Sequence, residues 1–314
     1  MGAAIESSSE KIATRAAYGK TLLELGKENK DIVVFDADLS GSTQTKHFAK
    51  EFPERFFNMG IAEANMVSTA AGLAKAGKIP FVSSFAMFAT GRAWEQVRNS
   101  VAHNHANVKI CATHSGLTVG EDGASHQIIE DIAIMKAIPS MTVIVPADSV
   151  ETEQVIRAVA EYNGPVYVRL GRAAVPVIYD DNYKFEIGKA DVLREGTDAT
   201  IVATGVMVSR ALEAAQIASS QGKSIEVINV ASIKPLDTET IVKSANNTKK
   251  VITAEEHNIW GGLGDSVASA ILENASEKVS FKRLGVNDLF GQSGKAEELL
   301  EHYELTAERL LSLV

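Results

Sequence analysis

Short β-branched runs alternate along this chain with longer segments of helical period, and that rhythm admits few folds. IVVF (32–35), VKICAT (108–113), MTVIV (141–145) and VYVRL (166–170) are largely apolar without strict alternation, as strands covered on both faces are. Between them, segments 12–28, 61–77, 90–104 and 149–162 repeat apolar residues at i, i+3 and i+4, and glycine closes several of them. Consecutive strands joined through helices run parallel, because the helix carries the chain back to the starting edge. The expectation is an α/β protein with mainly parallel sheets flanked by helices. The rhythm fails across 172–198, where Pro176 and the pair Asp180 and Asp181 interrupt it, and resumes from 199 onward. We read residues 1–175 as one α/β domain, 176–190 as a linker and 191–314 as a second, smaller α/β domain.

With 314 residues, 45% of them hydrophobic, the chain can fill two cores. Its 31 Lys plus Arg against 40 Asp plus Glu give a net charge of −9, and no basic run occurs. Nucleic acid and anionic membranes are therefore poor partners, and any anionic ligand needs individually placed cations. Cys111 is the single cysteine, so no internal disulfide forms and a cytoplasmic setting is expected. The opening MGAAIESSSEK lacks the apolar core of a leader. The longest apolar candidate, IPFVSSFAMFATG, falls short of the roughly 18 residues that span a membrane.

Segment 113–127, THSGLTVGEDGASHQ, follows one predicted strand and opens toward a helix, where sites in parallel sheets lie. Gly116, Gly120 and Gly123 let the backbone turn tightly enough for His114, Asp122 and His126 to converge. Two imidazoles and a carboxylate suit proton transfer to sugar hydroxyls; an exposed turn with capping histidines fits the same spacing. The histidines match no compact zinc pattern. A second segment places Glu63 at the start of a small, apolar helix whose Ile61, Met66, Val67 and Ala70 are expected to be buried. A carboxyl group there must be paired or hold a proton, unless it merely complements the helix dipole. Phe85 and Phe88, in FVSSFAMFATGRAWEQVR, flank a polar turn at a strand end and fit either a core or a ligand wall.

In this order, GIAEANM, SFAMF and THSGLTVGEDGASHQ resemble the C-terminal half of transketolase, over essentially the whole chain. The resemblance implies a pyrimidine-binding domain followed by a transketolase C-terminal domain, and thiamine diphosphate as cofactor. It makes Glu63 the partner of the aminopyrimidine N1′, with Phe85 and Phe88 packed on that ring and Asp38 on the cofactor side. A hydrogen bond from the carboxyl group favours the imino tautomer that removes the thiazolium C2 proton. His126 and His114 then assist the substrate chemistry and Asp122 recognises a hydroxyl, while Arg15, Ser42, His114 and Arg172 hold the sugar phosphate. Two departures stand out. His114-Ser115-Gly116 replaces the His-Asp-Ser run of many transketolases, and Gly91, beside Arg92, falls where a third pocket aromatic is usual.

The family's Gly-Asp-Gly motif with a downstream Asn, which holds the diphosphate and its Mg2+ or Ca2+, has no counterpart: no GDG occurs, and no Asn lies between Asn107 and Asn163. The resemblance therefore implies one subunit of a two-chain transketolase, whose partner is an N-terminal subunit carrying that motif, in an α2β2 heterotetramer acting on sugar phosphates. A 2-oxo acid dehydrogenase β subunit, a 1-deoxyxylulose 5-phosphate synthase relative and a non-catalytic interaction subunit are the alternatives. In the second domain, Gly261-Gly262-Leu263-Gly264 does not fit GxGxxG. Glu255, Glu256 and His257 read as domain contacts.

Overall fold

The computed structural model describes residues 10–314, so all but the last two of the opening residues read for a leader lie outside it. Eight strands occupy the first part of the chain: β1 (Lys11–Ala13), β2 (Ile32–Asp36), β3 (Phe56–Asn58), β4 (Ile79–Ser83), β5 (Lys109–Ala112), β6 (Thr142–Ile144), β7 (Val166–Arg169) and β8 (Ala174–Pro176). Six follow: β9 (Asp191–Arg194), β10 (Ala199–Ala203), β11 (Ile225–Asn229), β12 (Ser232–Lys234), β13 (Lys250–Asn258) and β14 (Ser280–Val286). The first sheet has the order β12-β6-β7-β5-β4-β2-β3, and the second β14-β13-β10-β11-β9. Within each, every pair is parallel except the edge strands β12 and β9, which are antiparallel to β6 and β11. The central strands are buried end to end, as their unbroken apolar character requires.

The two sheets are knitted together. β12 belongs to the second half of the sequence yet extends the first sheet. Strand β8, which runs into the 176–190 segment at Pro176, pairs with β1, Lys11 opposite Pro176. Tyr179 and Tyr183 stack with ring centres 3.7 Å apart, and the Tyr183 hydroxyl donates to Glu151 at 2.8 Å. Asn229 Nδ2, on β11, donates to the same carboxyl oxygen at 2.8 Å. Burial pushes Glu151 up to about 8, so this buried carboxyl group keeps its proton at neutral pH.

Two local expectations need correction. Ile61 is 77% exposed, because the helix begins at Glu63 and buries Met66, Val67, Ala70 and Ala71 instead. The helix expected from 90 begins at Met87 and is wound as π-helix over Met87–Arg92 and Val97–Ala102, around a short α-turn at Trp94–Gln96. A π-turn holds one more residue than an α-turn, which shifts every later side chain around the axis.

Candidate active site at the strand ends of the first sheet

Four adjacent strands deliver the site. β2 leads to Asp38 and Ser42, β4 to Phe85, β5 to His114 and β7 to Arg172, all at the C-terminal ends where parallel sheets leave a crevice. Arg15 enters from the first turn of helix Thr14–Glu28.

His114 is the hub. Its ring stacks on Phe85 at 3.8 Å, Nδ1 lies 2.9 Å from Thr113 Oγ1, and Nε2 lies 3.4 Å from Arg15 Nη1. A guanidinium can only donate, so Nε2 accepts and Nδ1 carries the proton toward Thr113. Burial, reinforced by Arg15, Arg172 and His126, pushes His114 down to about 3. This imidazole is therefore neutral at physiological pH. Arg15 also donates to the Ser42 carbonyl at 2.8 Å, which fixes its guanidinium between two strand ends.

His126 presents its ring at a steep angle to Phe88, with centroids 5.3 Å apart, and lies 6.1 Å from Phe85. Nδ1 meets Ser125 Oγ at 2.9 Å, while no hydrogen bond engages Nε2 among the described residues. Phe85 and Phe88 are nearly parallel, 6.0 Å apart. Arg172 Nη1 donates to the Val119 carbonyl and, at 2.8 Å, to Glu121. Asp122 is exposed and makes no hydrogen bond or ion pair among the described residues, so its convergence with the histidines is not fixed by a contact. Asp38 is exposed in the left-handed region, φ 63°, and accepts from Asn58 at 3.0 Å.

Glu63 is 1% exposed and takes Arg92 Nη1 at 2.8 Å on Oε2; Oε1 has no partner among the described residues. The Arg92 guanidinium also lies 4.6 Å over the Phe88 ring. In the sequence Arg92 stands out only as the neighbour of Gly91. The π-turn that carries it over Phe88 leaves no mark in an i, i+3 pattern. Glu121 and Thr113 were missed too, both lying inside a segment already singled out.

Neighbouring strand ends thus bring together two imidazoles, a pair of phenyl rings, the guanidinium groups of Arg15 and Arg172 and, through a third at Arg92, a buried carboxyl group. Residues 10–177 match the family described as transketolase, pyrimidine binding domain, and residues 188–310 match transketolase, C-terminal domain. A putative transketolase C-terminal section from Methanocaldococcus jannaschii is 57% identical over 298 residues, covering 94% of this chain and 93% of that one. One of the subunits of an apulose-4-phosphate transketolase from Phocaeicola vulgatus is 40% identical, with 95% of each chain covered. A solved split-gene transketolase, described as an inactive β4 tetramer, superposes with a TM-score of 0.88 at 51% identity and covers 97% of both chains. The chain belongs to the transketolase family, whose cofactor is thiamine diphosphate.

Proposed function

We propose that this chain is the C-terminal subunit of a two-chain, cytoplasmic transketolase that moves a two-carbon ketol unit from a ketose phosphate to an aldose phosphate. The observation that carries the reading is the meeting of His114, His126, Phe85 and Phe88 beside a buried Glu63 whose Oε1 is unpartnered. That oxygen and the phenyl wall fit an aminopyrimidine, which needs one hydrogen-bond partner at N1′ and an apolar face. Thiamine diphosphate supplies the carbon that accepts and returns the two-carbon unit. Glu63 would exchange a hydrogen bond with N1′, and Phe85 and Phe88 would exclude water from the ring. His126 Nε2 moves a proton at the substrate oxygen, Asp122 takes a substrate hydroxyl, and Asp38 lines the cofactor side. Arg15, Ser42 and Arg172 hold the phosphate. His114, neutral and bonded on both nitrogens, aims Arg15.

The chain contains no GDG, and we assign diphosphate and Mg2+ or Ca2+ binding to an N-terminal partner, in an α2β2 assembly. The Methanocaldococcus C-terminal section and the Phocaeicola transketolase subunit, each matched over nearly its full length, support the division, as does the inactivity of the solved β4 tetramer. The test is co-purification with the partner and assay against ketose donors and aldose acceptors with thiamine diphosphate and magnesium. Turnover by the isolated chain would overturn the division of the site.

A further inference from the structure

The histidine loop is not self-supporting. Gln127, next to His126, is 3% exposed, and its Nε2 faces three carbonyl oxygens: Leu117 at 3.1 Å, Gly120 at 3.0 Å and, from the second domain, Gln292 at 2.9 Å. Its Oε1 is buried without a partner. Gly291 packs so closely against that end that a Cβ would lie 1.9 Å from Oε1, and a Cβ on Gly123 would lie 2.6 Å from Ser293 Oγ. The second-domain loop is itself anchored, since the Tyr303 hydroxyl donates to the Phe290 carbonyl at 2.8 Å and Leu299 and Leu300 are buried.

We propose that Gln127 is a positioning residue, through which the 290–294 loop of the second domain holds the histidine loop in the form that presents His126 and Asp122 to the ketose. The inference rests on the functional reading above and gives the second domain a part in substrate recognition. One amide closes the loop on itself and ties it across the domain boundary. Losing the amide frees Leu117, Gly120 and Gln292 together.

Gln127→Met keeps the volume and removes the donors. Gly291→Ala displaces the same amide from the other domain, by crowding its Oε1, and serves if the first variant folds poorly. Hydrogen exchange by mass spectrometry on the full chain should show residues 117–127 exchanging about tenfold faster or more in either variant, the scale of one lost buried hydrogen bond, with the β4 and β5 core unchanged. In the assembled enzyme the ketose KM should rise by about tenfold while thiamine diphosphate affinity stays the same, because Glu63 and the phenyl wall are untouched. In the double variant the two losses should not add, since both act through the Gln127 side chain. Wild-type exchange in both variants, or a loosened loop with unchanged ketose KM, would overturn the proposal. A wild-type pair without ketol transfer would instead overturn the functional reading, and exchange alone would then decide the tie.

Discussion

The strand ends of the two sheets carry similar residue types and use them in opposite ways. Toward the C-terminal end of β13, Glu255 accepts from the Leu263 and Gly264 amides at 2.7 and 2.8 Å and so caps helix Leu263–Asn274. Glu256 accepts from the Thr118 amide at 2.5 Å and faces Arg169, which is paired with Asp131 at 2.7 Å. His257 accepts from the Ala133 amide and bonds the Asn258 carbonyl. Each of these groups has partners. At the first sheet, Glu63 Oε1, His126 Nε2 and the Asp122 carboxylate lack them among the described residues. Buried polar groups cost stability unless satisfied, so the partnered cluster ties the domains together even though Asp131 Oδ1 is buried without a partner, while the groups at the first sheet are the ones the proposed ligand would meet.

The sharpest way to break that contrast is Arg169→Met. It strands Asp131 and Glu256 in the interior, and removing one member of a buried ion pair costs about 3–5 kcal/mol. Denaturant unfolding should show the loss, whereas Arg172→Ala, whose Glu121 partner is exposed, should change stability by less than about 1 kcal/mol. Equal losses would erase the distinction. The second effect is chemical. Glu63→Gln should leave the fold intact and slow C2 proton exchange of thiamine diphosphate in the assembled enzyme by roughly 10² or more. Unchanged exchange by NMR would remove Glu63 from the chemistry and make it a partner of Arg92 alone.

How much of this contrast could be read in the sequence depends on the range of each interaction. The buried parallel strands were legible because burial on both faces selects unbroken β-branched runs, and the histidine loop because its glycines and imidazoles lie within fifteen residues. The edge strands β9 and β12 and the β1–β8 pair were not, being three or four residues long, mixed in polarity and defined by partners far away in the chain. The Thr118–Glu256 contact spans 138 positions and has no local trace. Arg92 was hidden by the π-turn.

A third, smaller effect tests the open side of the comparison. Arg172→Ala should raise KM for phosphorylated sugars by about tenfold relative to unphosphorylated ones, the scale of one charged hydrogen bond. An equal rise for both would make Arg172 a strut for Val119 and Glu121.

The smallest effect concerns His114, which belongs to the open site yet is as buried as the saturated histidine, His257. Its folded pKa of about 3 lies below the ordinary 6.5. The unfolded chain therefore takes up a proton in that window and the native chain does not, so stability present above pH 6.5 is lost as the pH falls toward 3. Between pH 7 and pH 6 the folded value hardly matters, since the native ring is neutral throughout, and the loss from this one group is about 0.7 kcal/mol. His114→Gln should remove that increment, read as the difference between wild-type and variant unfolding free energies at the two pH values. NMR of the wild-type ring should show no protonation down to about pH 5. A titration near the ordinary value would mean that Nε2 is free of Arg15, and His114 would then join His126 as a proton carrier rather than aiming the guanidinium.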